Sequence, residues 1–312
     1  LFSNDAFGQH YASELMYNDL VDQAELCQEA IKYYANILTP FSPLVTKKIQ
    51  EVLSLNLPVD IIAPSHGVIW RDNPAQIIHK YLEWADNYQE NQITIVYDTM
   101  WNSTKRLAKA IAEGIKAADT SVTVKLFNVA RSDKNDVITE IFRSKAFLVG
   151  SSTINRGILS GAASIIEMIA GLGFKNKKAA AFGSYGWSGE AVPSIEARLK
   201  AMRMQVVPGL RVRLKPTAND LDKAFLLGVE FAKAIQQKKQ DVSKLKWRCL
   251  ICGHIHEGAE PPEICPACGV GKENFELLQV EDAFNKDTDE KFVIIGGGVA
   301  ALSAAEAIRE RN

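Results

Sequence analysis

The middle of the chain alternates short apolar runs with longer stretches in which apolar residues recur every three or four positions. Strands that alternate with helices of this length are typical of a parallel, doubly wound sheet with its ligand at the carboxyl ends of the strands. The pattern predicts strands at 93–97, 122–127, 146–150 and 179–182, and helices that end near 116 or cover 133–143, 160–172, 189–202 and 217–237. The predicted fold class is therefore α/β, in several domains.

The first 90 residues follow a different pattern. An apolar run at 59–63 predicts a short strand that leads into a tight turn containing His66, and such a strand end is where α/β and αββα enzymes present a ligand. Spacing alone favours the simpler interpretation, in which His66 is a hydrogen-bonded structural histidine and Asp5 is a cap or turn residue. The helical spacing in this region predicts helices at 19–38, 43–55 and 74–88.

Three polar loops follow the strands of the predicted sheet. The first lacks the glycines of a nucleotide-binding turn and offers hydroxyl groups at a helix N-terminus, which suits a phosphate monoester. Simple N-capping is the alternative, although one Ser or Thr suffices for a cap. The spacing T-x-x-x-x-T, from Thr99 to Thr104, resembles the phosphate loop of flavodoxins, and the resemblance implies an FMN site flanked by Trp101, Tyr185 or Trp187. The candidate FMN-binding residues are Thr99, Met100, Trp101, Asn102, Ser103, Thr104, Ser151, Ser152, Thr153, Ile154, Asn155, Ser184, Tyr185, Gly186, Trp187 and Gly189.

Four of the five cysteines form two C-x-x-C pairs, Cys249/Cys252 and Cys265/Cys268. Two such turns close a tetrahedral site of four sulfurs, which suits iron or zinc. A structural zinc knuckle is the default for this motif. Trp247, Phe275 and a glycine after each pair favour iron, and the stretch resembles the short rubredoxin at the end of rubrerythrins. In that resemblance the glycines leave room for backbone N–H groups to point at the sulfurs. The fifth cysteine, Cys27, is predicted to be a small buried residue.

The last twenty residues read as a strand, a Gly-x-Gly-x-x-Ala turn and a helix. The turn glycines and alanine are Gly296, Gly298 and Ala301. The motif is weak when it stands alone, but the flanking strand and helix are its required context. It resembles the opening βα unit of an FAD-dependent NAD(P)H oxidoreductase, which implies that these three residues bind FAD in a complete domain.

Composition narrows the possible partners and compartment. A formal net charge of −1 provides no broad attraction for nucleic acid or an anionic membrane. No apolar run approaches the roughly 18–20 residues that a membrane span needs. Cysteines used as metal ligands rather than disulfides indicate the reducing cytoplasm. We also expect the chain to be an internal part of a longer polypeptide.

Taken together, five stretches resemble the flavodiiron proteins, which include flavorubredoxins and rubredoxin:oxygen oxidoreductases: LFSNDAFGQH, APSHG, YDTMWNST, GSSTINRG and FGSYGWSG. The resemblance implies a metallo-β-lactamase-like αββα domain with a non-haem diiron centre, and a flavodoxin-like domain that holds FMN. The implied activity is reduction of O2 to water or of NO to N2O. The predicted segments are the C-terminal part of the β-lactamase-like domain (1–90), the flavodoxin-like domain (91–238), a linker (239–246), the rubredoxin-like Fe(Cys)4 module (247–279), a second linker (280–290) and the first βα unit of an FAD domain (291–312).

The family's iron ligands match this chain only in part. Asp5 matches the carboxylate that bridges the two irons, and His66 matches the ligand histidine that comes last in the sequence, so both become candidate metal ligands and catalytic residues. We expect His10 to lie near this site, behind the residues that bind the metal. The family's H-x-E-x-D-H cluster and a further histidine have no counterpart here. We therefore expect this chain by itself to bind FMN and one iron.

For the intact protein, the resemblance implies that electrons pass from NAD(P)H through FAD, the rubredoxin iron and FMN to the diiron centre. It also implies a head-to-tail homodimer or a dimer of dimers. Two alternatives stay open at this point: a flavodoxin–rubredoxin electron carrier with no terminal acceptor, and a binding protein with a zinc ribbon. The sequence does not distinguish O2 from NO, or NADH from NADPH.

Overall fold

The computed structural model describes residues 1–236, 246–258 and 260–277. The chain divides into two compact units, Leu1–Gln237 and Lys238–Asn312. The predicted FAD-binding residues Gly296, Gly298 and Ala301 lie outside the described residues, as do the βα unit at 291–312, the linker at 280–290 and all but Lys246 of the linker at 239–246.

The first unit opens with a small region of helices around two short strands. The strands β1 (Phe2–Asn4) and β2 (Ala63–Pro64) pair in parallel. The helices are α1 (Gln23–Tyr33), which continues into a π-helical segment at Tyr34–Leu38, α2 (Ser42–Ser54) and α3 (Ala75–Ala85). The three predicted helices are therefore present.

The strand predicted at 59–63 is wrong over most of its length. Only Ala63 belongs to β2, which ends at Pro64, and residues 57–61 have no regular structure. Leu57, two residues before this run, and Ile61 within it are exposed, at 64% and 47%. Among the described residues, only the end of the run pairs with a neighbour: Ile62 forms an isolated bridge with Trp70, and Ala63 pairs with Phe2 of β1. Cys27 was also predicted wrongly, because it lies on the exposed side of α1.

The rest of the first unit is built on a five-stranded parallel sheet. Its strands are β3 (Glu90–Tyr97), β4 (Thr123–Asn128), β5 (Ser144–Gly150), β8 (Lys178–Tyr185) and β9 (Gln205–Arg213). They lie in the order β4-β3-β5-β8-β9. This order, 2-1-3-4-5 by position in the chain, is that of a doubly wound sheet whose ligand lies at the strands' carboxyl ends. A two-residue hairpin, β6 (Thr153–Ile154) and β7 (Gly157–Ile158), follows β5.

Helices cover both faces of this sheet. Side chains of α4 (Ser103–Ala118) and α8 (Ala218–Gln236) share a core with Ile93 and Ile95 of β3. The opposite core, which contains Val96, receives α5 (Lys134–Arg143), α6 (Ser160–Leu172) and α7 (Ala191–Ala201). Alternate residues of a buried strand thus serve opposite faces, and the predicted α/β architecture is confirmed.

The fifth strand, β9, was not predicted from the sequence. Pro208 and Gly209 interrupt its apolar pattern, and proline is tolerated in a sheet chiefly on an edge strand. β9 is the edge strand next to β8, and its register shifts opposite Ala180 and Phe182. A Cβ at Gly209 would lie 2.2 Å from the Ala181 carbonyl oxygen, so the close approach requires glycine.

The second unit contains a three-stranded antiparallel sheet with β10 (Lys246–Cys249) in the centre, between β11 (Ile255–Glu257) and β12 (Phe275–Leu277). Among its described residues, Cys249, Cys265 and Phe275 form a small core, with Trp247 and Val270 packed against them. Phe275 thus packs beside the cysteines. No helix among residues 1–236, 246–258 and 260–277 is long and apolar enough to cross a membrane.

Candidate functional site

A cavity of about 430 Å³ opens at the carboxyl ends of β3, β5 and β8. The three polar loops singled out from the sequence all contribute to its wall. Its lining residues are Met100, Trp101 and Ser103 from the first loop, Ser152 and Thr153 from the second, Ser184, Tyr185 and Gly186 from the third, together with Arg106, Leu214 and Lys215. The cavity therefore lies where a doubly wound sheet binds its ligand.

Three buried hydroxyl groups join the loops beside this cavity. Thr104 Oγ1 lies 3.0 Å from Ser152 Oγ and 3.4 Å from Ser184 Oγ, and the two serine oxygens are 3.3 Å apart. The three hydroxyls come from the start of α4, the loop after β5 and the end of β8, and Thr104 is fully buried. The cluster fixes the three loops relative to one another.

The first loop presents the start of α4 without a cap. Asn102 precedes the helix with a positive φ of 61°, and no side chain bonds the first helical N–H groups. Thr99 Oγ1 is buried and has no hydrogen-bond partner. The N-capping alternative is therefore wrong for this loop. Uncapped helical N–H groups and an orphaned hydroxyl fit a phosphate group.

Several predicted flavin-binding residues lie outside the cavity lining. Trp187 is 96% exposed, whereas Trp101, at 87%, still contributes to the cavity's wall. The second loop is a tight hairpin, because Asn155 and Arg156 both have positive φ, as a two-residue type I′ turn requires. Thr99, Asn102, Thr104, Ser151, Ile154, Asn155, Trp187 and Gly189 are the predicted residues that do not line it.

Sequence reasoning missed three lining residues, Arg106, Leu214 and Lys215. Arg106 lies on the first turn of α4, and its guanidinium donates to the Pro216 carbonyl at 3.2 Å. Leu214 and Lys215 follow β9, the strand that the sequence pattern did not reveal. The sequence contained one signal for Arg106, which comes just after a helix start predicted to bind phosphate. It contained no signal for Leu214 or Lys215.

The four paired cysteines converge in the second unit. Their sulfurs all lie within 4.8 Å of one another, with Cys249 to Cys268 at 3.7 Å and Cys252 to Cys265 at 3.6 Å. A tetrahedral ion with metal–sulfur bonds of about 2.3 Å requires sulfurs about 3.8 Å apart. The cluster therefore fits a single four-coordinate metal ion.

Backbone N–H groups point at the sulfurs, as the glycine spacing predicted. Gly253 and Gly269 adopt φ values of +75° and +76°. Each turns the next residue back towards the cysteine, so that the His254 N–H donates to Cys252 and the Val270 N–H donates to Cys268. Such hydrogen bonds stabilise a thiolate and tune a metal–thiolate centre.

Asp5 and His66 come together at the ends of β1 and β2. Asp5 Oδ1 lies 3.3 Å from His66 Nε2, and both side chains are about half exposed. The His10 and Tyr33 rings lie 5.9 and 6.0 Å from the His66 ring. Burial, and secondarily the charge of Asp5, raises the pKa of Tyr33. The described residues provide no third metal ligand at this pair.

A buried glutamine, which the sequence reasoning did not use, fixes the turn that carries His66. Gln9 is fully buried, its side-chain amide donates to the Val68 carbonyl at 3.0 Å, and its Oε1 accepts from the Val68 N–H at 2.8 Å. Its backbone N–H donates to the His66 carbonyl. Gly67, with φ of +80°, leaves room for this amide, because a Cβ there would lie 1.5 Å from Gln9 Oε1.

Comparison with known proteins finds two matching families. Residues 95–228 match the flavodoxin family, and residues 247–276 match the rubredoxin-like domain of rubrerythrin. A protein from Aeromonas hydrophila, named anaerobic nitric oxide reductase flavorubredoxin, is 43% identical over 90% of this chain and 67% of its own length. This chain belongs to the flavodiiron proteins with a C-terminal rubredoxin.

Two further relatives support membership of the flavodiiron family. An Aliivibrio fischeri protein with the same name is 61% identical over 69% of the chain and 44% of its own length. The solved structure of rubredoxin oxygen:oxidoreductase from Desulfovibrio gigas matches with a TM-score of 0.72 and 34% identity, over 75% of this chain and 59% of that one. The chain thus spans less than half of the Aliivibrio protein's length and about two thirds of the Aeromonas protein's length.

Proposed function

We propose that this chain is the electron-transferring part of a flavodiiron reductase that reduces NO. The observation that carries the proposal is that a flavin-sized cavity with an open phosphate loop and a four-sulfur metal site occur in one chain. Redox cofactors held in one polypeptide exchange electrons without diffusional encounter, because tethering raises their effective concentration.

FMN is the proposed ligand of the cavity. The uncapped start of α4, with Thr99 and Ser103, would hold the phosphate, and Trp101 or Tyr185 would flank the flavin ring. Bound FMN supplies one- and two-electron chemistry. The hydroxyl cluster of Thr104, Ser152 and Ser184 keeps the three loops in register around the ring.

Iron is the proposed metal of the four-cysteine site. The match to a rubredoxin-like domain supports iron over zinc, which leaves the zinc-ribbon alternative without a specific observation in its favour. Cys249 and Cys265 are buried whereas Cys252 and Cys268 are exposed, so the two outer cysteines face solvent. Iron supplies a one-electron couple at this site, and the N–H groups of His254 and Val270 offset thiolate charge.

Asp5 and His66 are the proposed contribution of this chain to a diiron centre. A carboxylate and an imidazole suit non-haem iron and leave open positions for a diatomic ligand. The two residues fit such a centre but do not complete it. The remaining ligands would come from the family's H-x-E-x-D-H segment and a further histidine, neither of which this sequence contains.

NO is the proposed substrate, with O2 as the second candidate. The relatives at 43% and 61% identity are named nitric oxide reductases, whereas the structural relative named an oxygen oxidoreductase is 34% identical. A polypeptide that joins this chain to the missing iron ligands should consume NO and release N2O when a reductant is supplied. Faster O2 consumption than NO consumption by the same sample would overturn the choice of substrate.

The same proposal includes partners and compartment. NAD(P)H and an FAD domain would supply the electrons, and a head-to-tail homodimer or dimer of dimers would bring FMN close to a diiron centre. Thiolate iron sites of this kind persist in a reducing compartment, which supports the cytoplasm. If the protein holds iron and flavin but consumes neither NO nor O2, the electron-carrier alternative replaces the reductase.

A further inference from the structure

Asp98, which the sequence reasoning left out of the site, joins three segments at the edge of the flavin cavity. It follows β3 directly and is 9% exposed. Its Oδ1 accepts from the Thr99 N–H at 2.8 Å, and its Oδ2 accepts from the Gly161 N–H at 3.2 Å. Its own N–H donates to the Gly150 carbonyl at the end of β5. One side chain thus binds the first loop to the start of α6.

The helix α6 depends on Asp98 for its N-terminal cap. Leu159 occupies the N-cap position and offers no side-chain acceptor. A carboxylate at a helix N-terminus satisfies an unpaired N–H and interacts favourably with the helix dipole. Gly161 is shaped for this contact, because a Cβ there would lie 2.5 Å from Asp98 Oδ2.

The contact with Thr99 sets the path of the phosphate loop. The Asp98 carboxylate accepts from the Thr99 N–H and so fixes the direction in which the loop leaves β3. The loop then presents the unpaired Thr99 Oγ1 and the uncapped start of α4. We propose that Asp98 is a positioning residue that makes the cavity selective for phosphorylated flavin. This inference rests on the proposed FMN site.

The negative charge of Asp98 opposes phosphate binding unless other groups offset it. A carboxylate near a phosphate raises the cost of binding the anion. Here the positive end of the α6 dipole and two N–H donors face the carboxylate, so its charge is largely neutralised locally. The positioning effect therefore outweighs the repulsion.

The test compares FMN with riboflavin, which lacks the phosphate. Dissociation constants for both flavins are measured by fluorescence quenching on the flavin-free chain and on Asp98→Ala. We expect Asp98→Ala to weaken FMN binding about tenfold and riboflavin binding by less than about twofold. Asp98→Asn retains one acceptor oxygen and should give an intermediate preference.

Asp133→Ala is the matched control, because Asp133 caps α5 by accepting from two backbone N–H groups. It should lower the thermal midpoint to a similar extent and leave the ratio of the two flavin affinities unchanged. Equal weakening of both flavins by Asp98→Ala, or tighter FMN binding, would overturn the inference. A parent chain that binds FMN no better than riboflavin would instead refute the proposed FMN site.

Discussion

Lys177 is a buried cation whose polar partners are all neutral. Its side chain is 3% exposed, and its Nζ donates to the Phe142 carbonyl at 2.8 Å and to the Ser144 carbonyl at 2.5 Å. Burial lowers the pKa of Lys177 to about 7. Phe142 lies near the end of α5 and Ser144 begins β5, so Lys177 links these two elements. The link requires that the charged form of the lysine be removed from water, which is unfavourable.

This pKa predicts how stability depends on pH. An unfolded lysine titrates near 10.5, so between about pH 7 and 10.5 the unfolded state binds more protons and stability rises with pH. From about pH 7.5 to about pH 9 the gain is about 2 kcal/mol for the parent chain relative to Lys177→Met. Urea unfolding at both values measures it. Lys175→Met, at an exposed neighbour, should behave like the parent, and an identical pH slope in Lys177→Met would contradict the prediction.

Arg106 is one of two cations in the cavity wall that the sequence reasoning missed, the other being Lys215. Arg106 lies on the first turn of α4, next to the proposed phosphate position. Arg106→Met should weaken FMN binding by about tenfold or more, because a charge-assisted contact contributes about 1.5–3 kcal/mol. Flavin fluorescence titration measures the change. Lys109→Met, exposed on the same helix, provides the control, and equal affinities for the two variants would refute the role of Arg106.

At the scale of elements, the sequence correctly predicted the strands and helices whose burial gives them a regular hydrophobic pattern. The strands around Ile93–Tyr97 and Ala146–Gly150 are buried on both faces, so their apolar runs are continuous and easily recognised. β9 escaped prediction because edge strands tolerate Pro208 and Gly209. The strand predicted at 59–63 was wrong for a different reason: within the described residues only Ile62 and Ala63 pair with neighbouring backbone, so most of the apolar run forms no strand.

The candidate sites also contain some residues that the sequence could reveal and others that it could not. The loops and the cysteine pairs are local motifs, and both were visible in the sequence. Gln9, Asp98 and Arg106 act through contacts with residues 59 to 110 positions away, at Val68, Gly161 and Pro216. Such pairings depend on the tertiary fold, so single-sequence patterns do not reveal them. The roles assigned to individual loop residues stay predictions.

The hydrogen bonds of the Gln9 amide predict how a substitution there changes the stability of the turn that carries His66. Gln9→Met keeps most of the volume but leaves the Val68 N–H and carbonyl unpaired in a buried position. The free energy of unfolding should fall by about 2 kcal/mol, and hydrogen exchange at the Val68 amide should accelerate. Gln76→Met, which removes a solvent-exposed bond to Asp72, is the control. Unchanged exchange at Val68 would show that Gln9 does not fix this turn.

The positive-φ glycines of the four-cysteine site predict a change in redox potential. Gly253→Ala strains a backbone at φ of +75° by about 1 kcal/mol and moves the His254 N–H away from Cys252. A thiolate that loses a hydrogen bond stabilises the oxidised metal, so the midpoint potential should become more negative. Spectroelectrochemical titration measures it. A potential equal to that of the parent would contradict the role assigned to these N–H groups.

At the scale of the whole chain, two sites of different chemistry lie in two separately folded units. The first unit combines a sheet with a cavity at its carboxyl edge and a pair of candidate metal ligands, Asp5 and His66. In the described part of the second unit, at 246–258 and 260–277, the core is formed by two of the cysteines and Phe275. A core this small implies that a metal bound by the four sulfurs would supply much of the stability of this part.

We propose that this chain carries FMN and one thiolate-bound iron. The decisive measurement is a visible spectrum of the purified chain, with iron, zinc and flavin quantified on the same sample. We expect about one flavin and about one iron per chain, with a flavin envelope and red iron–thiolate absorption that both bleach with dithionite. Zinc in place of iron, together with absence of flavin, would overturn the proposal and leave a structural zinc module beside an α/β unit of another function.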